Sequence, residues 1–279
     1  MDKLSEVLNN FAISAGVFYT GNLCGLSSFS PDGTEEGHLH LLESGSLTVV
    51  DHNGKKLHLN EPCVLFFPRP AQHRLMATEE DNAQVVCATV KYGTGTKNPL
   101  ANALPSLLVI KLAEAAPLCL ITDLLFKEAF AENNGRLAMM DRLTEVFIIH
   151  LLRFAMDSGI VETGLLSGLA HPQLSKAIMA MHAAPENSWS LETLAELSAM
   201  SRSKFAELFK EQLGQPPGDY LLEWRVALAQ NHLKKGKPVG WVANQVGYEN
   251  ASALARVFRK KTGQSPKQWL SLNSQTSEA

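Results

Sequence analysis

Three histidines are the residues best placed for chemistry in this 279-residue chain. His38 and His40 lie two apart, so in a strand both side chains point to one face. His73 follows the turn Pro68-Arg69-Pro70 and opens another apolar run. Three imidazoles converging between strands could hold a transition metal or an anionic effector. The alternative is a set of satisfied interior histidines with no ligand. The four cysteines are the second candidates. Cys63 and Cys87 sit in apolar runs and read as inert buried thiols. Cys24, between Gly21 and Gly25, reads as more accessible, and Cys119 falls in a helical stretch. No C-x-x-C spacing suggests zinc, and four cysteines in a chain this long are no disulfide framework.

The elements that must position these side chains are short strands. From about residue 18 to 92, runs of four to eight residues are separated by Ser30-Pro31-Asp32-Gly33, Glu43-Ser44-Gly45, Asp51-His52-Asn53-Gly54 and Pro68-Arg69-Pro70. Leu47–Val50 and Lys56–Leu59 around Asn53-Gly54 read as a hairpin. This spacing predicts a sandwich or small barrel. Residues 93–103, with Gly93 and Gly95, read as a loop. From Pro117 the apolar period becomes helical. Leu118, Ile121, Leu125 and Phe126 form one stripe. Leu137, Met140, Leu143, Phe147, His150, Leu151 and Phe154 form another, on a helix from about Arg136 to Asp157. That helix is apolar enough to pack on the barrel and on a second copy of the chain. Gly159 to Pro172 reads as a linker, and everything beyond as about seven helices.

The composition, 45% hydrophobic and 19% charged, excludes a disordered chain. No window approaches ~18 uncharged apolar residues, and no basic flank precedes an apolar run at the start, so a cytoplasmic protein without a membrane span is expected. The net charge of −3 hides an asymmetry. Residues 1–166 hold 12 basic and 19 acidic residues, net −7; residues 167–279 hold 13 and 9, net +4. Between Ser201 and Lys267 the balance is 12 to 5, net +7. Such a change of sign suggests that one half meets a polyanion.

The basic half contains a weak internal repeat. Trp189 to Gly214 and Val239 to Gly263 each place an alanine, Ala195 or Ala243, in a short helix, then a tight turn, then a helix ending Phe-basic-x-x-x-Gly. Small alanines allow helices to cross closely, Gly247 suits a positive φ, and Ser190 and Ser201 are N-cap residues. This is the pattern of two helix-turn-helix units. The helix Gly218–Lys235 would separate them by ~27 Å, near the ~34 Å of one DNA turn.

Leu194-Ala195, Phe209-Lys210, Gly214-Gln215-Pro216-Pro217, Val246-Gly247-Tyr248, Phe258-Arg259-Lys260, Gly263-Gln264-Ser265-Pro266 and Trp269-Leu270 resemble the C-terminal DNA-binding domain of the AraC/XylS family of transcription regulators. By position, the resemblance puts base reading on Ser203, Ala206 and Glu207 in the first unit. In the second it falls on Ala251, Ser252, Ala255 and Arg256. Phosphate contacts fall on Arg202, Lys204, Lys210, Arg259 and Lys260. Alanines read only by apolar contact, which leaves Arg256 as the strong bidentate candidate. The structural reading of Leu194, Phe205, Leu208, Phe209, Val246, Leu254 and Phe258 is core.

Gly37 to Gly45 and Pro62 to Leu75 resemble the two motifs of a cupin barrel, in the version fused to this regulator family. Metallocupins carry a His-x-His pair ahead of a glutamate; here no histidine precedes Gly37. The overall plan also resembles regulators of oxidant defence in which an early and a late cysteine of the barrel respond to oxidants; Cys24 and Cys87 match by position.

The expected architecture is therefore α+β in two domains: a cupin-like β-barrel (about 16–92) with trailing helices (about 105–158), together residues 1–160, then a linker at 161–171 and an all-α domain at 172–279. Its helix-turn-helix units span about 190–213 and 239–261. The expected function is a transcription regulator that senses a small molecule, metal or oxidant through its N-terminal half. It would act as a homodimer on promoter DNA and RNA polymerase. The rival is a metal-dependent cupin enzyme with a helical appendage. A third possibility is a binding module whose DNA domain is degenerate.

Overall fold

The computed structural model describes residues 2–31, 35–92 and 98–274. Asp32-Gly33 of the first expected turn, and Gly93 and Gly95, lie outside them. The chain divides into two compact units. One comprises residues 12–96 and 100–161; the other comprises 1–11, 97–99 and 162–279.

Among the described residues, nine strands build the first unit: β1 (Ile13–Leu23), β2 (Gly25–Phe29), β3 (Gly37–Ser44), β4 (Leu47–Asp51), β5 (Lys56–Leu59), β6 (Cys63–Phe67), β7 (His73–Ala77), β8 (Ala83–Tyr92) and β9 (Leu108–Lys111). They form two antiparallel sheets, ordered β1-β8-β3-β6-β9 and β2-β7-β4-β5. The strand-rich expectation holds, in the form of two sheets rather than one closed hydrogen-bonded cylinder. A core of Leu42, Leu65, Phe67, Val85 and Cys87 from one sheet and Leu47, Val49, Leu59 and Leu75 from the other joins them. The expected hairpin β4–β5 forms, with Leu47 opposite Leu59. Asp51 ends it by accepting from the amides of Asn53 and Lys55, both at 2.9 Å.

Two expectations are corrected here. β1 begins at Ile13, ahead of the strand region read from the sequence. Residues 105–115 are not the start of the trailing helices: Leu108–Lys111 is strand β9, paired with β6. Its four residues alternate, Leu108 and Ile110 buried against Val109 and Lys111 outside, a period too short to be distinguished from the helix beyond it. Within the expected loop, Pro99–Asn102 forms a single helical turn, α2.

Two helices complete this unit, α3 (Ala116–Ala129) and α4 (Arg136–Asp157). Met140, Phe147, Ile148, Leu151, Leu152 and Ala155 of α4 are buried. Leu137, placed in the same stripe from the sequence, is instead exposed. Asp141 on α4 accepts from the Val17 amide of β1 at 2.9 Å, tying helix to sheet.

The second unit is helical: α1 (Lys3–Asn10), α5 (Leu165–Ala170), α6 (Leu174–Ala183), α7 (Leu191–Leu197), α8 (Arg202–Leu213), α9 (Pro217–Lys234), α10 (Val239–Gln245), α11 (Ala251–Thr262) and α12 (Pro266–Ser274). α1 departs from the expected division at residue 160. It buries Leu4 and Val7 and ends in Phe11, whose ring meets Trp224 of α9 edge-on at 4.9 Å. Lys3 Nζ donates to the Leu169 carbonyl at 2.9 Å, and the Asn231 amide donates to the Asn10 carbonyl. Leu4, Val7 and Phe11 make one buried face, which must be covered by something. The expected linker at 161–171 is likewise not free chain. α5 buries Leu165, Leu166 and Leu169. Gly168 faces Ile178 and Leu213 so closely that a Cβ there would lie 2.7–2.9 Å from their methyls.

Candidate nucleic-acid interface and histidine cluster

The helix pairs α7–α8 and α10–α11 are the two helix-turn-helix units. Ser190 and Ser201 cap α7 and α8 through the amides of Thr193 and Lys204. Asn250 caps α11 through the Ala253 amide, a cap the sequence reading passed over, although an Asn four residues ahead of an apolar position is a recognisable start signal. Gly214 and Gly263 end α8 and α11 with φ of 76° and 80°. The two turns differ at one position of interest. Gly247 follows α10 at φ 79°, whereas the turn after α7 places Ala199 at φ 51°.

Burial sorts the faces of α8 and α11. Phe205, Phe209, Leu254 and Phe258 are buried, with Leu194, Ala195, Ala243 and Val246 beneath them. Leu208 is half-buried. The remaining face carries every residue assigned to DNA by resemblance. Ser203, Glu207, Ser252 and Arg256 are exposed; Ala206, Ala251 and Ala255 are half-buried. Arg202, Lys204, Lys210, Arg259 and Lys260 are exposed. Arg202 is engaged: its guanidinium meets Glu192 of α7 at 2.5 Å and holds that carboxylate below its usual range. Lys261 pairs with Glu223 of α9 at 3.0 Å. Among the described residues, Lys204, Lys210, Arg256, Arg259 and Lys260 form no ion pair, so these cations are uncommitted. The N-termini of α8 and α11, with unpaired amides, add to a surface that favours phosphate.

In the other unit, His38 and His40 project from β3 and His73 from β7, so the imidazoles meet from opposite sheets. His40 Nε2 and His73 Nε2 are 2.9 Å apart. His73 Nδ1 lies 2.8 Å from the Ala71 carbonyl, so that nitrogen carries the proton and Nε2 is left as acceptor. His40 Nε2 then donates. The His73 ring is sandwiched between Phe67 at 3.9 Å and Phe29 at 4.6 Å. His38 stands further off, its ring centre 5.3 Å from His73 and 6.1 Å from His40. Burial lowers all three: His73 to about 4, His40 well below the usual range, His38 more modestly against the pull of Glu36. The Nδ1 atoms of His38 and His40 are buried without a hydrogen-bond partner among the described residues.

Among the described residues, no three His, Cys, Asp or Glu side chains are spaced to hold an ion. The three imidazoles gather in an aromatic cage, His40 and His73 sharing a hydrogen bond and His38 with its ring beside both.

The cysteines divide as expected by exposure. Cys24 is exposed, while Cys63 and Cys87 are buried free thiols. Burial pushes the Cys87 thiol up to about 12 and Cys63 up to about 11, far from the thiolate that oxidants attack. Cys87 pairs in register with Tyr19 of β1. Besides burial, both Cys87 and Cys24 oppose ionisation of the Tyr19 hydroxyl.

Residues 2–157 match the family model of a cupin domain, and residues 194–271 match that of a helix-turn-helix domain. The chain belongs to the AraC-type transcription regulators that carry an N-terminal cupin domain. It is 31% identical over 250 residues to the HTH-type transcriptional regulator AlkR of Acinetobacter baylyi, covering 85% of this chain and 82% of that one. It is 29% identical over 257 residues to an HTH-type transcriptional regulator of Haemophilus influenzae (84% and 86%). It is 27% identical over 238 residues to the RCS-specific transcriptional activator RclR of Escherichia coli K12 (81% of each). These relatives are regulators, and this AraC-type chain is a DNA-binding regulator rather than a cupin enzyme. Among the described residues no helix is long and apolar enough to cross a membrane.

Proposed function

We propose that this AraC-type regulator binds promoter DNA in the cytoplasm as a homodimer. The first turns of α8 and α11 would enter successive major grooves, and a small effector would be sensed in the cupin unit. The observation that carries the DNA-binding part is the exposed, uncommitted face of α11, with Arg256 aimed outward beside Ser252 and with Arg259 and Lys260 flanking it. In the first unit Ser203, Ala206 and Glu207 take the base-reading positions, with Arg202, Lys204 and Lys210 toward phosphates. Arg202 must exchange Glu192 for a phosphate, a nearly even trade at an exposed site. α9 has the expected length of 18 residues, or ~27 Å, which suits two helices on one face of a duplex.

For dimerisation, α3 and α4 expose Leu120, Leu124, Leu137, Met139 and Val146. Apolar side chains of this size gathered on two helices favour a second copy as cover. The dimer would then present four helix-turn-helix units to a promoter and to RNA polymerase.

For sensing, the neutral His40–His73 pair between Phe29 and Phe67, with His38 beside it, favours a small organic effector that donates a hydrogen bond to the orphaned Nδ1 of His40. An oxidant is the second reading. It is favoured by exposed Cys24 and by the relative named as an RCS-specific activator. Cys87 would join it only after an opening of the sheet that lowers its thiol. Fluorescence anisotropy with upstream DNA, with and without mild hypochlorite, tests the whole reading. Sequence-selective, salt-dependent binding supports it, and equal affinity for unrelated duplexes sinks it.

A further inference from the structure

The helical unit contains a cavity of about 400 Å³ that neither the DNA face nor the histidine cluster uses. It is walled by α1, α6, α9 and α10, and its lining is polar: Glu6, Asn10, His182, Glu186, His232 and Gln245 are among its residues. Its size suits a small organic ligand.

Three features give the cavity a sign. First, two carboxylates, Glu6 and Glu186, reach it with no lysine or arginine in the lining. Glu6 Oε2 is buried without a hydrogen-bond partner among the described residues. Burial alone raises the Glu6 carboxyl, a cost that a bound cation would cancel. Second, Asn10, Ala183 and Gln245 are the last residues of α1, α6 and α10. The C-terminal ends of these helices therefore border the same space, although the Asn10 carbonyl already accepts from Asn231. Third, His182 is almost fully buried and stacks on Trp224 at 3.4 Å, with Nε2 2.7 Å from the Tyr220 hydroxyl. Its Nδ1 has no partner among the described residues. Burial depresses this imidazole to about 3, so it stays neutral and offers a lone pair or a proton without opposing a cation. Lys235 and Lys237 both oppose a proton on His232 of the lining, and two of the nearby cations have partners elsewhere. Arg225 donates to the carbonyls of Pro185 and Asn187, and Lys237 lies over the Trp241 ring.

We propose that this cavity is a binding site for a small organic cation, an amine or guanidinium with further hydrogen-bonding groups, held by Glu6 and Glu186. The site bridges α1 to α10, the first helix of the second helix-turn-helix unit, so its occupant bears on that unit directly. It stands apart from the sensing reading of the cupin unit.

Agmatine is the probe, because it carries an amine and a guanidinium for the two carboxylates. Its counterpart 4-guanidinobutyrate exchanges the amine for a carboxylate. Calorimetric titration of the full chain is expected to show saturable binding of one agmatine per chain. Glu6→Gln and Glu186→Gln should each weaken it by roughly tenfold or more, the loss of one charge-assisted bond. Glu211→Gln, on the exposed face of α8, should leave it unchanged. Tryptophan fluorescence verifies that each variant is folded, since all four tryptophans lie in residues 189–269. Absence of saturation at millimolar agmatine overturns the proposal. So does binding indifferent to both glutamate substitutions, or equal binding of 4-guanidinobutyrate. None of these readouts involves promoter DNA, so failure here leaves the DNA-binding reading intact.

Discussion

Arg256 stands exposed on α11 among serine and alanine neighbours. A bidentate arginine–guanine contact discriminates by about 1–3 kcal/mol, so Arg256→Ala is expected to weaken promoter binding by that amount and to relax selectivity at one base pair. Lys260→Ala should instead weaken all duplexes alike and lower the salt slope by about one. Anisotropy against single-base operator variants separates the two. In the cupin unit the residue-scale question is protonation. His73 has its pKa lowered to about 4, against 6.5 when unfolded. Between these values the unfolded chain holds a proton that the native chain lacks. Stability is therefore full above about pH 6.5 and falls as the pH drops toward 4, by a total of about 3 kcal/mol for this one buried ring. His73→Gln should flatten the loss of calorimetric Tm between about pH 7 and pH 5 relative to the native chain. An unaltered pH slope would mean that His73 is not neutral in the folded state. His38, His40 and His73 were legible as one group because strand parity places side chains. The bond between His40 and His73 required two sheets to face each other.

At the scale of the element, the two turns of the helix-turn-helix units make opposite predictions. Ala199 occupies the left-handed region, where a Cβ is strained, so Ala199→Gly should stabilise the helical unit by about 0.5–1 kcal/mol. Gly247 has the same conformation and less room. A Cβ there would meet the Glu186 backbone at 2.9 Å. Gly247→Ala should therefore destabilise by more than that gain, of order 1–3 kcal/mol. Urea unfolding followed by tryptophan fluorescence reads both, and opposite shifts in midpoint are the expected result. The long periodic helices α4 and α9 were visible to within a residue, because a sustained 3.6-residue stripe has few alternatives. β9 and α5 were missed for the converse reason. Four or six residues carry too little period, and both owe their form to what they pack against: β6 for one, and Ile178 with Leu213 for the other.

For the whole molecule, the charge division of −7 against +4 predicts weak nonspecific DNA affinity for one chain, so useful occupancy depends on the dimer. Leu120→Glu with Leu137→Glu, both on strongly exposed positions of α3 and α4, should yield a monomer by light scattering without lowering the Tm of the fold. Operator affinity should fall with it. A dimer that survives both charges would place the interface elsewhere. By itself, the sequence determined the α+β division and the two helix-turn-helix units, because each rests on local period, caps and spacing, and the resemblance of its motifs pointed to the family. Tertiary structure alone decided that α1 belongs with the helical unit and that His40 bonds His73 from the opposite sheet. It also decided that two glutamates and a neutral histidine share a cavity. In each case the partners lie tens to hundreds of residues apart. Only packing, driven by the need to bury Leu4, Val7 and Phe11 or to close one sheet over another, brings such residues within a bond length of consequence.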